Sequence, residues 1–369
     1  MAAMRLLWCF VGLLLWSWRW TVASSSLRFR GNTFKIALFA DLHFGEAASE
    51  DWGPLQDVKS LRVMSFILDA EKPDLVVFLG DILTANNIAC HNATNYWTQA
   101  ISATLQRNIS WASVFGNHDD MLFEWPVDWF GVAGIPGEVD IDHYFKGTTR
   151  AELMAHDMSF EGSMSVKGFK SLWPSVSNYA LQIFSQTSTN FGEPLLVLYF
   201  LDSGGGSYPE LISARQASWF HRLASELNPD QRVPELAFWH IPTQHYAGIG
   251  PAPGTPIQFP CVGSINLETV APQLLELGFM ELLSKRKSMK AAFVGHNHGL
   301  DWCCPTESEG TMYLCFARHT GYGGYGTWAR GARIIEVTED PFCISSYIHL
   351  EDGSISGMFD IPLMHITST

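Results

Sequence analysis

Positive charge is scarce in this sequence. Only 23 lysines and arginines face 37 aspartates and glutamates, for a formal net charge of −14. Such a surface repels a nucleic-acid backbone, which excludes a nucleic-acid partner. It also means that any phosphate must be held by something locally cationic, and metal ions are the natural candidates. Low-complexity tracts and internal repeats are missing too, so a solenoid or an array is excluded. The seven cysteines have neither zinc-ribbon nor Cys-x-x-Cys spacing, which argues against a structural zinc or a thiol-redox centre. Beyond the first twenty residues no run is apolar enough to span a bilayer, and the tail ending in Thr369 has no greasy stretch for a lipid anchor.

The one apolar run is at the start. Arg5 precedes Leu6 to Leu15, and the small residues Ala23, Ser24 and Ser25 follow. Residues 1–23 therefore read as a secretory signal peptide, its apolar run shorter than the roughly 20 residues a spanning helix needs. An uncleaved anchor, helped by Trp16, Trp18 and Trp20, is the rival reading, and the polar serine-rich stretch that follows disfavours it. Two sequons agree with secretion: Asn92-Ala93-Thr94 and Asn108-Ile109-Ser110. Loss of Cys9 with the signal leaves Cys90, Cys261, Cys303, Cys304, Cys315 and Cys343. Six cysteines admit 15 pairings, and the sequence does not choose among them. The expected destination is the secretory pathway and the extracellular space, or the vacuole or cell wall on the same route, with no stable membrane span after cleavage. Residues 24–369 are expected to form a single domain with long insertions near 119–175 and 243–271.

Apolar runs predict strands at Phe34–Ala40, Leu75–Leu79, Trp111–Phe115, Leu195–Leu201, Glu235–Trp239 and Ala291–Val294. Helical spacing appears over Leu55–Ala70, Tyr96–Leu105 and Ala214–Leu227. It appears again after Pro272, where Leu274, Leu275, Leu277 and Met280 would lie inside a helix. From Met312 onward, short strands and turns look antiparallel. Strand, helix and strand in alternation predict an α/β fold with parallel crossovers. Five of the predicted strands run straight into a cluster with metal-ligand chemistry: Asp41-Leu42-His43, Gly80-Asp81, Gly116-Asn117-His118-Asp119, His240, and Gly295-His296-Asn297-His298. Functional groups of α/β sheets gather outside the carboxyl ends of the strands, so residues far apart in sequence can converge.

Asp41, His43, Asp81, Asn117, His240, His296 and His298 together offer two carboxylates, four imidazoles and one amide. That donor set suits zinc, iron or manganese and is wrong for calcium, which takes oxygens throughout. Seven ligands exceed what a four-coordinate structural site uses, whereas two metals sharing a bridging carboxylate fit the count.

The order of these motifs resembles the signature of the calcineurin-like metallophosphoesterases, from Phe34 to beyond Met312. The form with a secretory signal most resembles the small plant purple acid phosphatases, a group whose members are often labelled probable inactive. This resemblance implies a four-layer sandwich of two mixed β-sheets flanked by helices. It implies two divalent or trivalent transition metals: Asp41, His43 and His298 on one, Asn117, His240 and His296 on the other, and Asp81 bridging. His118 would face the substrate as the catalytic residue. The implied reaction is acid-phosphatase-like hydrolysis of a small phosphate monoester by a metal-bound hydroxide. The alternatives are a phosphodiesterase on the same core and a secreted metal-binding glycoprotein with weak or lost turnover. Two positions depart from the purple acid phosphatase pattern. His43 replaces a glycine, and Thr84 stands where a tyrosine gives the ferric colour or, in other relatives, an aspartate orients the catalytic histidine.

Arg318 and His319, ahead of the run Thr320 to Gly326, are candidate substrate contacts, against a plainer reading as a turn with packed tyrosines. His91, His245 and Tyr246 are weaker candidates for the pocket wall. Asp202 is expected to support the site by hydrogen bonding, and the Trp-rich stretch from Met121 to Trp173 to wall one side. The sequence leaves open the substrate, the metals and the oligomeric state.

Overall fold

Alternation along single strands sets the layers. In β2 (Thr33–Phe39), Ile36 and Leu38 enter one core, while Ala37 and Phe39 enter another on the opposite face. A computed structural model describes residues 27–88, 92–122, 147–187, 192–306 and 312–363. The predicted signal segment, Cys90, His91 and residues 123–146 of the Trp-rich stretch lie outside the described residues.

One sheet has six strands in the order β13 (Ile355–Asp360), β12 (Cys343–Leu350), β11 (Gly331–Thr338), β2, β3 (Leu75–Leu79) and β4 (Ser110–Val114). Its β2, β3 and β4 are parallel, and the remaining pairs are antiparallel. The other sheet has seven: β1 (Leu27–Arg28), β5 (Tyr179–Phe184), β6 (Leu196–Phe200), β7 (Glu235–Phe238), β8 (Met289–Val294), β10 (Tyr313–Phe316) and β9 (Cys303–Pro305). The two sheets face each other across a core that includes Ile36, Leu38 and Val77 from one and Leu198, Leu236 and Phe293 from the other. Helices α1 (Gly53–Glu71) and α2 (Ala93–Leu105) cover the outer face of the six-stranded sheet. Helix α4 (Ala214–Leu227), together with the short α5 (Gln244–Ile249) and α6 (Phe279–Ser284), covers the seven-stranded one. This is the four-layer α/β sandwich with two mixed sheets.

Several local expectations are corrected. Leu274, Leu275 and Leu277 are exposed and not helical. Backbone amides of this stretch bond to other loops, Gln273 to Pro242 (2.8 Å) and Leu274 to Glu210 (2.9 Å), so no i to i−4 ladder forms. Helix α6 starts only after Gly278, whose φ of +88° suits glycine. Strand β10 runs parallel to β8 and is antiparallel only to β9. The stretch ahead of Leu195 is more regular than expected. It holds β5 and helix α3 (Arg150–Asp157), whose start carries a capping box between Thr149 and Glu152. The neighbours Cys303 and Cys304 pair in two different disulfides, with Cys315 and Cys261, and Cys343 is unpaired among the described residues. No helix among the described residues is long and apolar enough to cross a membrane.

Candidate dimetal centre

The carboxyl ends of β2, β3 and β4 meet those of β7 and β8 at one edge of the sandwich. All four of Asp41, His43, Asp81 and His296 have positive φ, between 48° and 71°. Non-glycine residues rarely adopt this conformation, and its cost is borne where surrounding contacts over-determine it. The contacts here run from loop to loop. His43 donates its amide to the Asp81 carbonyl (2.9 Å), His296 to Asp41 Oδ1 (2.9 Å), and His118 to Asp81 Oδ1 (2.7 Å). Asp119 ties the same loops by accepting the amides of Gly116 and Leu83. Gly116 must be glycine, since a Cβ there would overlap the Asp81 carboxylate.

With Oδ1 of Asp81 occupied by an amide, its Oδ2 faces His240 Nε2 at 3.1 Å and His43 Nε2 at 3.7 Å. The carboxylate thus lies between the two histidine groups, as a bridge requires. His240 Nδ1 donates to the Leu79 carbonyl (2.8 Å), and His298 Nδ1 to that of Tyr325 (3.0 Å). A carbonyl only accepts, so in the neutral ring the proton sits on Nδ1 and the Nε2 lone pair is left pointing inward. His240 Nε2 is buried and has the Asp81 carboxylate before it.

Electrostatics ask for a cation here. Burial works against charge on His240, but the Asp81 carboxylate outweighs it and pushes the imidazole up to about 9. Burial pushes His296 down to about 3, His298 to about 4 and His43 well below its usual range, which keeps their lone pairs free. Burial also raises Asp41, while the surrounding histidines overcome burial at Asp81 and hold it low. Donor spacings agree with a coordination shell. Asn117 Oδ1 and His296 Nδ1 are 2.9 Å apart, and His43 Nε2 and His298 Nε2 are 3.2 Å apart. Neighbouring donors around an ion bound at about 2.0–2.2 Å lie roughly 3 Å from each other. Asp41, His43 and His298 form one compact trio, and Asp81, His240 and His296 another. The residues present fit a metal pair.

His118 is beside both groups, its ring 5.0 Å from that of His43, and it offers an atom to a third trio with His43 and Asp81. Its Nδ1 is 3.3 Å from Asn86 Oδ1, whereas Thr84 Oγ1 is 3.0 Å from His43 Nδ1. Thr84 therefore orients His43, and Asn86 is the group that positions His118. The sequence pattern gave no hint of Asn86, which lies in a short 3-10 turn (Ala85–Asn87) after β3. A cavity of about 460 Å³ opens over the histidines, lined also by Glu46 and Tyr325 and by no lysine or arginine among the described residues. A larger hollow of about 990 Å³, bordered by Arg232, Lys285, Lys287 and Lys290, lies at the other end of the strands and includes none of the predicted site residues.

The candidate substrate contacts fall elsewhere. Arg318 is buried, paired with Asp301 at 2.9 Å and bonded to the Ala329 carbonyl. His319 is fully buried, with its Nε2 on the Gly323 carbonyl and its ring 3.9 Å from that of His298. Neither lines the cavity; both are pulled inward by partners that sequence spacing does not reveal. Tyr246 is buried against the Ala292 carbonyl, and His245 is exposed away from the cavity. Asp202 binds Arg150, which in turn donates to the Gly116 carbonyl (2.8 Å) and so braces the Asn117 loop. Of the sequon asparagines, Asn108 is exposed in the turn after α2 and Asn92 half-buried at that helix's N-cap.

The chain is similar to known phosphatases in sequence and in fold. The calcineurin-like phosphoesterase family model matches residues 34–300. A probable inactive purple acid phosphatase of Arabidopsis thaliana is 28% identical over 354 residues, covering 86% of this chain and 80% of its own length. A phosphatase of Saccharomyces cerevisiae is 29% identical over 358 residues, covering 90% of this chain and 56% of its own. Among solved structures, a dimetal phosphatase from Danio rerio aligns with a TM-score of 0.50 at 11% identity, over 90% of this chain and 99% of that one. A purple acid phosphatase from yellow lupin (Lupinus luteus) seeds aligns with a TM-score of 0.53 at 14% identity, over 90% and 54%.

Proposed function

The chain belongs to the calcineurin-like phosphoesterase family, and from that premise we propose that it is a dinuclear-metal hydrolase of phosphate monoesters. The observation that carries the reading is the fixed tautomer of His240 and His298, whose inward lone pairs face Asp81 and Asp41. Asp41, His43 and His298 would hold one metal and Asn117, His240 and His296 the other, with Asp81 placed between the two groups. Iron, zinc and manganese suit the donors. When bound, such a pair supplies Lewis-acid charge and lowers the pKa of water.

The chain's own residues then position and protonate. As the oxygen of water bonds to phosphorus, the ester P–O bond breaks, His118 delivers a proton to the departing alcohol oxygen, and a proton from the attacking water restores His118. The products are the alcohol and inorganic phosphate. Asn86 sets the His118 ring, and Asp119 holds together the two loops that carry Asp81 and Asn117.

A second reading, a metal-binding glycoprotein with lost turnover, draws on Asn86, a neutral amide where a carboxylate would hold a protonated imidazole better. Residues 24–369 form the single catalytic domain in this proposal. The two disulfides, which need an oxidising compartment, support a secretory route with glycans on Asn92 and Asn108. Elemental analysis together with phosphate release from p-nitrophenyl phosphate tests the assignment. Two metals with turnover support the hydrolase, two metals without turnover support the second reading, and a metal-free active protein contradicts both.

A further inference from the structure

The cavity over the histidines has an unusual charge for a phosphate-ester site. Besides Asp81, it is lined by one carboxylate, Glu46, and by no lysine or arginine among the described residues. Glu46 is half-buried, and its Oε2 accepts the Gly324 amide at 2.6 Å. Its Oε1 has no donor among the described residues. That bond places Glu46 against the loop that presents the next residue, Tyr325. The Tyr325 ring stacks on His298 with centroids 4.0 Å apart and planes 9° apart, and its hydroxyl is tied to Glu268 at 2.7 Å. With its polar tip engaged and 51% of the residue still exposed, what Tyr325 presents to the cavity is aromatic surface. Gly324 is what permits the approach, since a Cβ there would overlap the His298 ring.

The nearby arginines are not available to anions. Arg330 is buried and donates to the carbonyls of Trp328 and Gly326, and Arg318 is paired with Asp301. A substrate whose alcohol carried carboxylates or further phosphates would meet Glu46 and the field of a chain with net charge −14, with no lysine or arginine among the described lining residues to offset them. A carboxylate beside an aromatic surface instead matches an ammonium, by charge and by cation–π attraction. Resting on the hydrolase reading for the phosphate end, we propose that the site selects phosphate esters of amino or ammonium alcohols, with Glu46 and Tyr325 receiving the positive charge.

The test compares three phosphomonoesters that differ in the charge of the alcohol: phosphocholine, glycerol 3-phosphate and 3-phosphoglycerate. Phosphate release is measured with the metal-loaded protein, and p-nitrophenyl phosphate serves as reference. The expected order of kcat/KM is cationic, neutral, anionic, with about tenfold between the extremes. Glu46→Gln should reduce that ratio to near one, and Tyr325→Leu should lower the phosphocholine value selectively. A wild-type ratio near one, or a ratio unmoved by Glu46→Gln, overturns the proposal while leaving the hydrolase reading intact. If no substrate, p-nitrophenyl phosphate included, is turned over, the hydrolase reading fails. Calorimetric binding then decides the selectivity: tighter binding of phosphocholine than of 3-phosphoglycerate, lost in Glu46→Gln, supports it. Equal binding, or none of either, overturns it.

Discussion

His240 turns its Nε2 to within 3.1 Å of Asp81 Oδ2 while committing its Nδ1 to the Leu79 carbonyl. A lone pair facing a buried carboxylate is repulsive unless a proton or a metal lies between them. The same demand recurs at His298 and Asp41, 3.6 Å apart, with the tautomer again fixed by a carbonyl. Two such pairs, His240 with Asp81 and His298 with Asp41, make a structural case for two cations.

The loaded protein is expected to be colourless. Thr84 has no phenolate, and its hydroxyl is used by His43. The nearest aromatic hydroxyl of the cavity wall, that of Tyr325, is bonded to Glu268. A visible absorption spectrum of iron-loaded protein checks this. A strong tyrosinate-to-iron band would mean that a tyrosine ligates after all, with Tyr325, Tyr96 and Tyr246 the first to be replaced.

His118→Asn is expected to lower kcat by roughly 10²–10⁴-fold with metal content retained, the usual worth of a positioned proton donor. Asn86→Ala should lower kcat by about tenfold through misplacement of the ring, and Asn86→Asp should restore it. Kinetics paired with elemental analysis separate the cases. Loss of metal in His118→Asn would place His118 among the ligands, in the trio it forms with His43 and Asp81.

Asp57, buried in α1, makes stability depend on pH. Burial pushes its carboxyl from 3.8 up to about 7, while the Gly45 amide it accepts pulls the other way. Between those values the folded chain keeps a proton that the unfolded chain has lost, so this group's contribution to stability falls as pH rises. Asp57→Asn keeps an acceptor for Gly45 and removes the charge. The variant should gain on the order of 1–3 kcal/mol over wild type at pH 8 and almost nothing at pH 4. Denaturant midpoints across that range measure it, and an equal gain at both ends would refute the cause.

The strands and the Asp and His motifs at their ends were legible because both are local. An apolar run ending in Asp-x-His or Gly-Asp is visible in one stretch of chain, and strand ends are where an α/β fold collects its chemistry. What the motifs do to one another was not legible. That Thr84 bonds to His43 and Asn86 to His118 depends on a short turn between β3 and α2. Arg318 and His319 look like a polar pair beside a glycine-rich loop, yet Asp301 and the His298 ring draw them inward. The run at Leu274, Leu275 and Leu277 has helical spacing, but its amides are taken by neighbouring loops. The capping box at Thr149 and Glu152 could have been read from sequence and marks a helix start inside a stretch that otherwise looks irregular.

The most direct test of the dimetal centre is elemental analysis of wild type and Asp81→Ala, each paired with phosphate release from p-nitrophenyl phosphate. Asp81 faces both histidine groups through Oδ2 and holds the His118 amide through Oδ1. Wild type should carry about two transition-metal ions per chain, the number a bridged pair requires, and release phosphate. Asp81→Ala should fall to one ion or none and lose activity. Full metal content and intact turnover in Asp81→Ala would contradict the account.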